Sequence, residues 1–184
     1  MSPRLLPLAM VLLLTACAGG SYRPVSDAAV KVGAPYRVRG QTYVPAADPR
    51  YDMLGLASWY GSESGRRTAN GERFRPDWVT AAHPTLPLPS YVEVTALDTG
   101  RRILARVNDR GPFTGRGRIL DLSKGAAEAL GAHGRGVVPV RVRIVSPDER
   151  DRARLRKGRA ARALPPVDER TRATLRAQLR ASGL

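Results

Sequence analysis

Side chains able to move protons gather in the middle of this sequence. Glu72 follows the turn pair Asn70-Gly71, His83 stands just before Pro84, and Asp109 precedes Arg110-Gly111-Pro112. A single carboxyl can act first as acid and later as base, and an imidazole can orient it or bind substrate. Asp109 is the first choice for acid/base work, because it ends an alternating run and precedes a turn, a place from which a side chain reaches a cleft. The competing reading is an Asx-type turn residue paired to Arg110 or Arg106. Those arginines would lower its pKa, the wrong direction for an acid, unless burial opposes them. Glu72 reads as a loop carboxylate at the cleft rim, binding substrate or sharing the acid/base work, or else as a surface glutamate beside Arg73. His83 reads as a substrate contact or an orienting group, although an isolated histidine is more often structural. Trp59, Tyr60 and Phe113 offer flat faces for rings, with core packing the alternative for at least one of them. Asn70, Asn108 and Arg110 add polar contacts. Asp121 reads as an acceptor for backbone or arginine N–H groups, and His133, in a glycine-rich stretch, carries no assigned role.

The elements that must position these groups are mostly short strands. Tyr91 to Leu97 alternates, with Val92, Val94 and Ala96 on one face; Asp98-Thr99-Gly100 is a turn signal; and Arg102 to Asn108 alternates again through Ile103, Ala105 and Val107. Together they predict a hairpin. Val138, Val140, Val142 and Ile144 line one side of another strand, with Arg141 and Arg143 turned to water. Gly55 to Tyr60 and Trp78 to Ala82 are shorter candidates. One helix is expected over Lys124 to Leu130, with Ser123 as N-cap and Gly131 as terminator. Short strands with one short helix predict a small closed barrel, which leaves no exposed edge.

This barrel is expected over residues 54–146. Ahead of it, Arg4, the apolar Leu5 to Leu14 and the small residues before Cys17 read as a secretory signal over 1–16, too short to span a bilayer. Leu14-Thr15-Ala16-Cys17 looks like a bacterial lipobox with Cys17 as the lipidated residue, and Ala18 in place of Asp favours the outer over the inner membrane. Residues 17–53 read as a Pro- and Gly-rich linker with one short extended piece at Pro35 to Pro45. The Arg- and Ala-rich tail, 147–184, reads as a solvated, partly helical arm, with binding to an anionic surface as the alternative.

One cysteine excludes an internal disulfide, and two histidines without ligand spacing give no reason to expect a metal; no cofactor is implied. The net charge of +15 would ordinarily suggest nucleic acid. Export argues against that partner, as does the lack of interleaved aromatic and basic residues. Anionic envelope polymers are the partners in reach, and nothing points to oligomers, so a monomer is expected.

Four blocks combine the reactive residues: Ala57-Ser58-Trp59-Tyr60-Gly61, Thr68-Ala69-Asn70-Gly71-Glu72, Thr80-Ala81-Ala82-His83-Pro84-Thr85-Leu86-Pro87 and Val107-Asn108-Asp109-Arg110-Gly111-Pro112-Phe113. A fifth, Arg118-Ile119-Leu120-Asp121-Leu122-Ser123, leads into the helix. In this order and spacing they resemble the rare lipoprotein A (RlpA) family over roughly residues 35–146. The resemblance implies a six-stranded double-psi β-barrel and an endolytic peptidoglycan transglycosylase that prefers glycan strands lacking stem peptides. It implies catalytic roles for Asp109, Glu72 and His83, and substrate contacts for Trp59, Tyr60, Asn70, Asn108, Arg110 and Phe113. A non-catalytic glycan-binding or envelope-organising lipoprotein on the same barrel is the alternative. Two departures bear on the choice. The loop Ser62-Glu63-Ser64-Gly65 lacks the aromatic or histidine of many relatives, and the tail does not look like the SPOR module of longer ones, so septal targeting does not carry over.

Overall fold

The computed structural model describes residues 21–184, so the signal segment and Cys17 lie outside the described residues. Six strands close a barrel: β3 (Asp52–Tyr60), β4 (Thr80–Ala82), β5 (Ser90–Ala96), β6 (Arg102–Asp109), β7 (Arg118–Ser123) and β8 (Val137–Ile144), in the order β3-β7-β4-β6-β5-β8. The pairs β3–β7 and β4–β6 are parallel and the other four are antiparallel. This is the double-psi barrel that the sequence blocks imply. A small hairpin, β1 (Tyr36–Val38) with β2 (Gln41–Tyr43), precedes it.

Alternation explains the core. Val92 and Val94 of β5, Ala105 and Val107 of β6, and Val138, Val140 and Val142 of β8 are all buried, as are Leu120 and Leu122 of β7. β7 was not expected as a strand, because its pattern is short and runs directly into helix α1 (Lys124–Leu130). That helix has the expected ends: the Ser123 hydroxyl accepts from the Ala126 N–H at 3.2 Å, and Gly131 adopts φ +75°.

Two flanking segments differ from expectation. The tail has the helical character expected of it, in two α-helices, but it packs on the barrel instead of standing in solvent. Helix α2 (Glu149–Arg156) buries Leu155 in the barrel core, and α3 (Glu169–Ala181) buries Leu175 and Leu179 against Leu97. The tail has too few apolar residues for a core of its own, but the barrel supplies the opposite wall. Gly158 shows how close the approach is, since a Cβ there would lie 2.2 Å from the Trp78 indole. The Pro- and Gly-rich stretch before the barrel is likewise tied down. Asp27 accepts hydrogen bonds from Tyr91, Arg106 and Arg156; Lys31 bridges to Leu88; and the Tyr36 hydroxyl donates to the Pro84 carbonyl at 2.6 Å. Polar contacts spread from Arg23 to Ala46, invisible to a composition argument, convert a linker into a strap. Among the described residues no helix is long and apolar enough to cross a membrane.

Candidate active site

The loop from Arg66 to Arg75 organises the site. It folds back on itself through an antiparallel bridge between Arg67 and Arg73, and the Thr68 N–H donates to the Glu72 carbonyl at 2.9 Å. The turn at its tip lays the Asn70 N–H on the Asn108 carbonyl at 3.1 Å, docking the loop against the end of β6. Asn70, Glu72, Asn108 and Asp109, four of the residues expected at the site, are thereby brought together.

Glu72 is not a rim or surface carboxylate. Its side chain is 1 % exposed, and it accepts four hydrogen bonds. Two come from the Arg106 guanidinium at 2.8 Å each, one from Asn108 at 2.8 Å and one from Asn70 at 3.0 Å. A carboxylate has about four lone-pair sites, so none remains for substrate. Arg106 also reaches Asp27 and the Ser26 carbonyl, which joins the strap to this cluster. Sequence reading treated Arg106 only as a neighbour of Asp109. It lies 34 residues from Glu72, and its one signal is a lone arginine among the apolar residues of a strand.

Asp109 has a different environment. One oxygen, Oδ1, accepts from the backbone N–H groups of Ala69 and Arg110, at 2.8 Å each, and Oδ2 accepts no hydrogen bond among the described residues. Neither arginine proposed as its partner takes it: Arg106 holds Glu72, and the Arg110 guanidinium donates to the carbonyls of His83, Leu86 and Val32. Burial raises the Asp109 pKa above its ordinary value, against the two backbone hydrogen bonds and the Arg110 charge, which lower it. The net direction is the one a proton donor needs. The Tyr60 phenol is raised well above its usual value by burial, with the negative charges of Asp109 and Asp121 adding to it, and so remains a neutral hydroxyl near both.

Strand register explains that proximity. Ala82 of β4 pairs with Asp109 on one side and with Asp121 on the other, and Asp121 pairs with Ser58 of β3. The two aspartates are thus two strand spacings apart, about 9.5 Å between backbones. Asp121 accepts from Ser58 at 2.7 Å and from Arg118 at 2.6 Å, in line with an acceptor role. Gly111, at φ +138°, lies beside Asp121, and a Cβ there would sit 3.6 Å from the Asp121 carboxylate in a backbone conformation that a side chain rarely tolerates.

The remaining expected residues lie around this centre. His83 donates its backbone N–H to the Asp109 carbonyl at 3.0 Å, but its ring turns elsewhere. Nδ1 accepts from the Thr85 and Leu86 N–H groups, which leaves the proton on Nε2 to meet the Tyr51 hydroxyl at 2.9 Å. Burial, with the Arg110 charge, lowers its pKa to about 3, so the ring is neutral. Tyr60 stacks on Phe74 at 5.1 Å; Trp59 packs on the core and on His133; Phe113 meets Tyr36 and Tyr43 edge-on beneath the hairpin. Among the described residues no three His, Cys, Asp or Glu side chains are grouped as a metal site.

Known proteins resemble this chain over its barrel. The family model described as "Lytic transglycolase" matches residues 52–142. An "Endolytic peptidoglycan transglycosylase RlpA" of Pseudomonas aeruginosa is 52% identical over 115 residues, covering 61% of this chain and 33% of that one. One of the same name from Rickettsia felis is 41% identical over 126 residues, covering 66% of this chain and 54% of the other. The chain thus spans between a third and about half the length of these relatives. A solved structure, the Streptomyces papain inhibitor, aligns with a TM-score of 0.44 at 26% identity, over 52% of this chain and 96% of that one. The barrel of residues 52–142, with its Glu72 cluster and Asp109, is a member of the lytic transglycolase family.

Proposed function

We propose that this protein is an endolytic lytic transglycosylase that cuts peptidoglycan glycan strands, preferring those without stem peptides, and leaves 1,6-anhydro-muramyl ends. The observation that carries the reading is Asp109: a carboxyl with a raised pKa, one oxygen fixed by backbone N–H groups and the other unengaged. In the first step Asp109 gives its proton to the glycosidic oxygen, the bond to C1 of the muramic sugar breaks, and the sugar's own N-acetyl oxygen closes on C1. In the second step the Asp109 carboxylate takes the proton of the C6 hydroxyl, whose oxygen displaces the N-acetyl oxygen from C1. The acid is thereby returned, and no protein nucleophile or water is consumed. Glu72 acts through Asn70 and Asn108, holding the loop that presents the Ala69 N–H to Asp109. His83 holds the Thr85-Leu86 turn.

The lipobox supports lipidation at Cys17, and the residue after it supports the outer membrane, which would place a monomeric barrel on the periplasmic side facing the wall. The test is mass spectrometry of sacculi, with and without stem peptides, after incubation with the soluble chain starting at Ala18. Anhydro ends that disappear in Asp109→Asn support the reading. Strands that are pulled down but never cut by the wild type overturn it in favour of a glycan-binding lipoprotein.

A further inference from the structure

The strap ahead of the barrel touches the loop of the site at its tip. Arg23 precedes Pro24, a place that disfavours helical backbone, and its N–H donates to the Gly71 carbonyl at 2.7 Å. The approach is close, since a Cβ on Gly71 would lie 3.5 Å from the Arg23 Cβ. The guanidinium reaches the neighbouring residue: Nη1 donates to the Asn70 Oδ1 at 2.6 Å, while Nη2 donates to the Ala28 carbonyl of the strap at 2.9 Å. The Asn70 carboxamide is thus held at both ends, by a cation on its oxygen and by Glu72 on its Nδ2 at 3.0 Å. A carboxamide has one accepting and one donating end, so these opposite charges leave it a single orientation.

The same strap meets the Glu72 cluster from its other side. The Ser26 carbonyl and the Asp27 carboxylate accept from Arg106, at 2.8 and 3.2 Å, and Arg106 donates twice to Glu72. The two grips serve one geometry. Asn70 is buried with its N–H on the Asn108 carbonyl, and its neighbour Ala69 gives the N–H that meets the Asp109 Oδ1 at 2.8 Å. A shift of the Asn70 backbone therefore carries the Ala69 N–H with it. Arg23 lies outside residues 52–142, which the family model matches, so this contact comes from the chain around the barrel and not from the barrel itself.

We propose that Arg23 is a positioning residue for strand cleavage, a strap residue that clamps the Asn70-Gly71 turn and through it holds the Ala69 N–H on the Asp109 carboxyl. The proposal rests on the reading of the chain as a transglycosylase with Asp109 as its acid, and adds to that site a part from outside the barrel. Without Arg23, the turn is held by Glu72 and Asn108 alone, and the Arg110 N–H is left as the firmer of the two bonds that aim Asp109. Two consequences differ from those of lost stability. The acid is less well directed at the glycosidic oxygen, which lowers kcat and leaves KM in place. The Ala69 hydrogen bond, which lowers the Asp109 pKa against burial, is weakened, so that pKa rises further. The other groups around Asp109 are Arg110 beside it, Tyr60 of β3, His83 after β4 and Asp121 of β7, and the two hydrogen bonds of the Arg23 guanidinium go to none of them.

The test compares the soluble chain starting at Ala18 with its Arg23→Gln and Arg23→Lys variants. The kcat and KM for release of anhydro-muramyl ends are measured across pH, and the Asp109 carboxyl is titrated by carbon NMR, which needs no turnover. Arg23→Gln should nearly keep its thermal midpoint, because Asp27, Lys31 and Tyr36 still tie the strap down. Its kcat should fall about tenfold, with KM within about twofold of the parent, the worth of one hydrogen bond to a charged group. Cleavage that needs protonated Asp109 declines as pH rises past its pKa, so this limb and the NMR titration should both move to higher pH. Arg23→Lys restores the charge and a donor, and should recover part of each change. Parental kcat with an unmoved titration in Arg23→Gln overturns the clamp. So does a fall in kcat that follows the thermal midpoint while the titration stays in place. A moved titration with no anhydro ends from the parent would sink the transglycosylase alone; anhydro ends from the parent with an unmoved titration would sink the clamp alone.

Discussion

Two carboxylates, joined by one loop, are treated in opposite ways. Around Glu72 the protein has spent an arginine and two asparagines, so that every lone pair is met and the charge is balanced in a dry place. Around Asp109 it has supplied only two backbone N–H groups, both on one oxygen, while routing the neighbouring arginines to Glu72 and to carbonyls. The contrast teaches how a fold separates holding from reacting. A saturated, paired carboxylate is a fastener, and a half-saturated one, kept from its nearest cations, has its pKa raised by burial.

The largest effect that could break this contrast is on turnover. Asp109→Asn keeps an oxygen for both backbone N–H groups and loses only the titrating proton. Release of anhydro-muramyl ends should fall by about two to four orders of magnitude, the usual worth of a positioned acid/base. Residual activity within tenfold of wild type would mean that the proton comes from another group.

Next in size is stability at the fastener. Glu72→Ala leaves Arg106, itself 1 % exposed, with only the partial company of Asp27, and breaking a buried pair in this way costs about 3–5 kcal/mol. Urea denaturation should show that loss, and Glu72→Ala/Arg106→Met should recover much of it by removing the stranded charge. If Glu72→Ala unfolds like wild type, Glu72 is not the fastener, and its essential role is chemical.

The contrast itself was hidden from the sequence, although the residues were not. Alternation placed β5, β6 and β8 and the ends of α1 correctly, because a one-sided pattern and a cap are local facts. Asp109 was expected at a strand end before Gly111-Pro112, and it is the last residue of β6. What local pattern does not carry is which arginine faces which acid. Arg110 adjoins Asp109 in the chain yet points to the carbonyls of His83 and Leu86, while Arg106 reaches across to Glu72, a pairing set by the docking of a loop on a strand. The packing of the partly helical tail was hidden for a related reason. Leu155, Leu175 and Leu179 look too few when counted alone, and suffice once Leu97 and the barrel wall lie opposite.

His83 sharpens the comparison from a third side, as a titratable group that the fold silences. Its pKa is lowered from 6.5 to about 3, so the unfolded chain takes up a proton through this range that the folded chain refuses. Its contribution to stability is complete above about pH 6.5 and is lost as pH falls toward 3, at about 1.4 kcal/mol per pH unit. Replacing it by Asn should flatten the stability–pH curve between pH 6 and 4 by about that slope, measured by urea titrations at each pH. The pH profile of strand cleavage should keep its position in the same variant. A shifted profile would return His83 to the chemistry.

The smallest effect concerns Asp109 again, now as a cost. A carboxyl whose pKa is raised in the folded state opposes folding once it ionises: the penalty is absent below the unfolded value near 3.8, grows as pH rises through the interval, and is constant above the folded pKa. Asp109→Asn removes it, so the variant should match wild type at low pH and be more stable at neutral pH. Thermal denaturation at pH 3.5 and pH 7 reads the difference. Gain at neutral pH with loss of turnover would show that the acid is kept at the expense of stability. A loss at both pH values would instead place Asp109 with Glu72 among the fasteners, since its worth would then lie in the bonds it accepts rather than in the proton it carries.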